Sequence, residues 1–163
     1  MWRIRLQFLA LVVIALLLVL DQGSKAWVRA EIPLYRASGL VPHLIDLTHV
    51  ENRGVSFSFL GNLGEGVRVP LLVSISLAAL AVLGIYWRRH WAEMPLLGHL
   101  GFVLILPGAA GNLIDRMRYG TVTDFLHFRF YDVSFFVNNL ADIFISAGVI
   151  AYALGMLRPQ RPR

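Results

Sequence analysis

Four stretches, at approximately 4–20, 69–87, 96–114 and 139–157, are almost free of charge and long enough to cross a bilayer. A hydrocarbon core about 30 Å thick takes about 20 apolar residues as a helix. In lipid such a segment must bond its own backbone groups, so it is a helix and not a lone strand. Composition agrees: the 163 residues are 57% hydrophobic and 15% charged, with a mean hydropathy of +0.64. A soluble domain carries roughly a quarter charged residues. Arg3 and Arg5 give the first stretch the charged start of a signal peptide. It is long for that role, and "LDQGSKAW" after it offers no A-x-A cleavage site, so a retained helix is expected.

Charge sets the expected orientation. Arg3 and Arg5, then Arg88 and Arg89, then Arg158, Arg161 and Arg163 lie densely in three short segments on one side, which the positive-inside bias makes cytoplasmic. The connections at about 21–68 and 115–138 then face outward as periplasmic segments; they hold eight of the ten acids, Asp142 stands at the outer end of the fourth stretch, and Glu93 alone falls on the other side. The net charge of +5 comes from arginines at helix ends, with no basic run interleaved with aromatics, so no nucleic-acid partner is expected. The absence of cysteine excludes disulfides, thiolate metal sites and a cysteine nucleophile.

The outer connections carry their own pattern. "LIDLTHV" and "VSFSFL" flank the turn formers of "ENRG", and Val55, Phe57 and Phe59 alternate with serines at the period of a strand. "FLHFRF" sets Leu126, Phe128 and Phe130 against Phe125, His127 and Arg129. A small sheet at the outer surface is predicted, its apolar face toward lipid or a lipid-bearing ligand; a satellite core accounts for the same pattern. "LGNLGEGVR" is expected as a flexible turn or short amphipathic piece.

Polar groups gather where these helices meet water. Asp21, Ser24 and Lys25 share a face at i, i+3 and i+4 if the first helix continues, and an ion pair there needs no role beyond neutralising Asp21. In "PGAAGNLIDR", Gly108 to Gly111 allow close approach of a helix or a substrate, while Asn112, Asp115 and Arg116 lie on one face. Arg116 is the expected partner of Asp115. Asp124 follows the third helix, Asp132 falls in a "YDVS" turn, and Asp142 opens the fourth helix. Singly, Asp124 is explained as a turn residue and Asp142 by the positive end of its helix. Two carboxylates at one membrane surface are also what acid–base hydrolysis requires, since close like charges keep one proton between them. Spacing alone leaves the pair open among Asp115, Asp124, Asp132 and Asp142. The five histidines have no metal-ligand spacing, the serines no G-x-S-x-G setting, and the glycines no P-loop lysine. No metal or other cofactor is expected.

"DQGSK", "ENRGVSFSF", "PGAAGNLIDR", "GTVTDFL" and "NNLAD", in this order on four short helices, resemble lipoprotein signal peptidase, the signal peptidase II family of aspartic peptidases. The resemblance implies an endopeptidase of the bacterial inner membrane that removes the signal peptide of prolipoproteins before a cysteine bearing diacylglycerol. It implies four transmembrane helices with a small extracytoplasmic sheet and a short surface helix. Carried over by motif, the catalytic pair is Asp124 and Asp142; Asn52, Gly54, Gly108, Asn112, Arg116 and Asn139 bind substrate or support the site, and Asp21, Lys25 and Asp115 are structural polar positions. Two departures touch local geometry. Pro107 stands where the family has a glycine, and Asn138 where it has an aromatic residue.

The expected protein is thus one integral membrane domain spanning 1–163, acting as a monomer on diacylglyceryl prolipoproteins within membrane lipid. Its site faces the periplasm and both termini the cytoplasm. Gly108 and Gly111 are expected to open a groove for acyl chains and signal helix, with Asn112 and Arg116 on the substrate backbone. The alternative from another class is a small transporter or lipid-binding scaffold with acids along a polar path. The clustering of acids at one interface and the lack of a repeat disfavour it.

Overall fold

The structure, a computed structural model, describes residues 2–54 and 64–157. In chain order these form α1 (Trp2–Glu31), β1 (Ala37–Val41), β2 (Ile45–Asn52), α2 (Glu65–Arg89), α3 (Leu96–Tyr119), β3 (Val122–Phe130), β4 (Val133–Asn138) and α4 (Leu140–Leu157). All four helices are long and apolar enough to cross a membrane. The predicted strand at 55–60 lies outside the described residues. So does the start of the piece at 60–68, which from Glu65 is the first turn of α2.

Two helices outrun their apolar stretches. α1 continues eleven residues past Leu20, to Glu31. Hydropathy marks where lipid ends, whereas the helix persists because Asp21, Lys25 and Arg29 recur every four residues on one face, where Asp21 pairs with Lys25, and Lys25 and Arg29 reach Asp115 on α3. α3 likewise runs through Pro107 to Tyr119. It stops at Gly120, whose φ of 72° is left-handed and whose N–H bonds the Arg116 carbonyl. That turn delivers the chain directly into β3.

α3 is the central helix, packed against α1, α2 and, most extensively, α4. Its contact with α4 is a seam of small residues. Ala141, Gly148 and Gly155 recur every seven residues on α4 and meet Gly108, Gly101 and Gly98 of the antiparallel α3. A Cβ on Gly148 would lie 2.7 Å from the Gly101 carbonyl oxygen, and one on Gly108 would lie 2.5 Å from that of Ala141. Association inside lipid gains little from apolar burial, so backbones that touch supply packing that larger side chains would block. At the far end from the sheet, Trp87, Phe102 and Val103 form the apolar core, with Trp87 stacked on Phe102 at 5.8 Å and donating to His99 Nδ1 at 3.0 Å.

The sheet is antiparallel in the order β1-β2-β3-β4. Hairpins β1–β2 and β3–β4 are separated in sequence by α2 and α3, so the central β2–β3 pairing closes only when those helices are in place. "LIDLTHV" and "FLHFRF" are its two inner strands, and Asp46 on β2 pairs across to Arg129 Nε at 2.6 Å. Tyr131 and Asp132 form the tip of the β3–β4 hairpin, with Tyr131 at φ 52°. A register shift between Leu47 and Val50 sets Val50 opposite Asp124 and Asn52 opposite Val122. Bulges commonly re-aim side chains in this way.

Candidate active site

The site forms where the ends of α1 and α3, the start of α4 and the two inner strands converge. Asp124 is the third residue of β3 and only 2% exposed. Its Oδ2 accepts from Asn52 Nδ2 at 2.9 Å and its Oδ1 from Asn139 Nδ2 at 2.6 Å. Asp142 is half-buried in the first turn of α4, and its Oδ1 accepts from Asn112 Nδ2 at 2.8 Å. Burial is the largest influence on the Asp124 carboxyl, lifting it from its ordinary 3.8 to about 6. The amide donors of Asn52 and Asn139 oppose that rise and the nearby Asp142 charge adds to it.

Each asparagine is itself fixed. Asn52 Oδ1 accepts the Gly54 N–H at 2.8 Å in a tight turn. Gly54 takes φ 79° there, and a Cβ on it would lie 2.8 Å from Leu72. Asn139 is the N-cap of α4, its Oδ1 accepting the Asp142 N–H at 3.1 Å. The next orphan N–H of that turn, on Ala141, donates to Asp21 Oδ1 at 3.0 Å. A carboxylate from α1 thus helps to cap α4, on the positive end of its dipole.

Beneath the two carboxylates is a buried polar knot. Asp21, Lys25 and Asp115 have fully buried side chains, and Lys25 Nζ sits 3.0 Å from Asp21 Oδ2 and 3.1 Å from Asp115 Oδ2. Gln22 donates to Asp21, Asp115 and the Gly111 carbonyl, and Asp115 Oδ2 accepts the Thr123 N–H at 3.3 Å. Arg29 lies 3.7 Å from Asp115 and donates to Thr123 Oγ1 at 2.8 Å. Removing one member of such a buried ionic group typically costs about 3–5 kcal/mol, because its partner stays charged and unpaired.

Two expectations are corrected here. Asp115 does not pair with Arg116: neighbours in a helix point apart, and Asp115 turns to Lys25 and Arg29 while Arg116 donates to the Asn112 carbonyl at 3.3 Å. Gly108 and Gly111 do not open a groove. The space beside Gly108 is filled by Ala141 and Ile145 of α4, and that beside Gly111 by the Asp21 carboxylate. The open space lies on the sheet side, where Tyr35, Val50, Glu51, Asn52, Arg53 and Val137 surround Asp124 in a cleft of about 600 Å³. The eleven residues carried over by the resemblance fall on this site or the knot beneath it, with Gly108 on its α3–α4 wall, whereas Asp132 stands apart at the tip of the β3–β4 hairpin. Gln22, Arg29 and Thr123 were not singled out, although Arg29 continues the four-residue spacing of Asp21 and Lys25.

Comparison with known proteins bears on this geometry. The profile of the family described as Signal peptidase (SPase) II matches residues 13–158. The lipoprotein signal peptidase of Geobacter metallireducens is 37% identical over 150 residues, covering 92% of this chain and 91% of that protein. The lipoprotein signal peptidase of Clostridioides difficile is 35% identical over 149 residues, covering 91% and 95%. A solved structure described as a bacterial membrane enzyme at 1.9 Å resolution superposes with a TM-score of 0.79 at 25% identity, over 93% of this chain and 94% of that one. This chain therefore belongs to the signal peptidase II family.

Proposed function

We infer that this chain removes the signal peptide from diacylglyceryl-modified prolipoproteins, cutting before the lipidated cysteine, with Asp124 and Asp142 as its acid–base pair. The observation that carries the assignment is the mutual placement of the two carboxylates. They come from separate elements, Asp124 is held by two asparagine amides and Asp142 by one, Asp142 is near enough to raise the Asp124 carboxyl, and a cleft opens beside Asp124. Neither the turn nor the helix-cap explanation accounts for that convergence.

In the working form the pair holds one proton, and the two groups titrate as a unit. Burial favours the neutral form of Asp124, which as the acid of the pair donates a hydrogen bond to the scissile carbonyl. Asp142 takes a proton from water as the water oxygen bonds to the carbonyl carbon, and the tetrahedral intermediate collapses as the C–N bond breaks and the leaving nitrogen takes that proton from Asp142. Arg116, beside Asn112, is suited to hold the substrate backbone.

The single chain supplies every group named, which supports a monomer forming one integral membrane peptidase domain. The density of arginine at the opposite helix ends supports a site on the periplasmic face of the bacterial inner membrane, with both termini cytoplasmic. The apolar faces that the helices expose are covered by membrane lipid, from which the lipidated substrate reaches the site. The test is cleavage of a diacylglyceryl prolipoprotein in detergent without an ion gradient. Asp124→Asn and Asp142→Asn should each abolish turnover while the protein remains folded and membrane-inserted; retained turnover in either variant rejects the pair.

A further inference from the structure

The asparagines at the site share a logic that assigns work to a residue of the buried knot. An asparagine amide has an acceptor end and a donor end, and which end faces a neighbour is set by its other contacts. Asn112 touches Lys25 through Oδ1 at 2.9 Å and Asp142 through Nδ2 at 2.8 Å. An ammonium has no lone pair, so only the oxygen of Asn112 can face it. The amide is therefore locked, and its NH₂ must point at Asp142.

Lys25 is itself saturated. Its three N–H groups meet Asp21 Oδ2, Asp115 Oδ2 and Asn112 Oδ1, and the side chain is fully buried. It cannot swing away without leaving two buried carboxylates uncompensated. Among the described residues, Asp142 has a side-chain partner on Oδ1 only, the Asn112 amide. Occupying Oδ1 leaves Oδ2 as the oxygen free to meet water.

We propose that Lys25 is a positioning residue for catalysis: through the Asn112 amide it commits Oδ1 of Asp142 and so presents Oδ2 to the attacking water. This rests on the assignment of Asp142 as base. The role is separate from neutralising Asp21 and Asp115, which any correctly placed cation would achieve without contacting the site.

The experiment is a double-mutant cycle on purified enzyme with a diacylglyceryl prolipopeptide, kcat and KM being measured per folded molecule. Lys25→Met should lower kcat roughly 10- to 100-fold with KM little changed, the scale expected of a misplaced catalytic group. In an Asn112→Ala background the same change should cost no further kcat, because the link it acts through is already gone. Where Lys25→Met does not fold, Lys25→Met with Asp115→Asn removes one positive and one negative charge together. It is compared with Asp115→Asn alone and should show the same fall in kcat. The acid limb of the pH–rate profile should move upward in Lys25→Met, since a carboxylate losing a donor binds its proton more tightly. Losses that add in the cycle, or a kcat within twofold of the parent with an unmoved pH profile, would overturn the role. Turnover surviving in Asp142→Asn would instead reject the assignment on which it rests.

Discussion

Asp124 is buried to 2% exposure and held on both oxygens by N–H donors. Burial favours its neutral form, the amides its anion, and the balance leaves it at about 6 against 3.8 in the unfolded chain. A raised carboxyl contributes stability that is complete below the unfolded value and is lost as pH rises through the folded one. The loss here therefore runs from about pH 4 to a little above 6, and amounts to roughly 3 kcal/mol. Thermal unfolding in detergent should show it as a midpoint that falls across that window. In Asp124→Asn the slope should flatten. The level of the variant's curve is not the criterion, because its amide NH₂ must face either the Asn52 or the Asn139 NH₂. A slope unchanged by the substitution would count against Asp124 as the group responsible. That Asp124 and Asp142 sit near one surface was legible in the sequence. The choice of partners below them was not, because Asp115 takes its cations from a helix some ninety residues earlier, and no local spacing records that.

At the level of elements, the α3–α4 seam decides where half of the site goes. α4 carries Asn139 at its cap and Asp142 in its first turn, so any change in its distance from α3 moves both relative to Asn112. Gly148→Val would push side-chain atoms into the Gly101 backbone, which cannot yield as a flexible side chain would. Overpacking of this kind costs about 1–3 kcal/mol. The variant should therefore unfold at lower temperature in detergent and lose turnover together. Gly84→Val on α2, where a Cβ meets nothing within 4 Å, is the control and should do neither. The four spans were readable because about 20 apolar residues leave little choice. Helix ends were less so, since α1 and α3 persist on polar faces that hydropathy scores as loop. β1 and β4 went unread for another reason: β1 is a five-residue edge strand exposed throughout, and the adjacent Phe135 and Phe136 break strict alternation in β4.

For the molecule as a whole, the proposed orientation has a direct chemical test, because the chain contains no cysteine and any introduced thiol is alone. Asp132→Cys, in the exposed β3–β4 turn, should react with a membrane-impermeant maleimide added to intact spheroplasts. Glu93→Cys, exposed between α2 and α3, should react only after the membrane is broken. The opposite pattern would invert the topology. The contact between Asp21 and the Ala141 N–H has a further consequence, one of timing. Its members stand 120 positions apart, one in the first crossing and one in the last. At about 5–20 residues per second, synthesis separates their appearance by on the order of ten seconds. Through that interval Asp21 has no α4 to cap and Asp142 does not yet exist. On the proposed assignment, a nascent chain that stalls before its final crossing lacks Asp142, half of the acid–base pair, and cleaves nothing in the membrane around it.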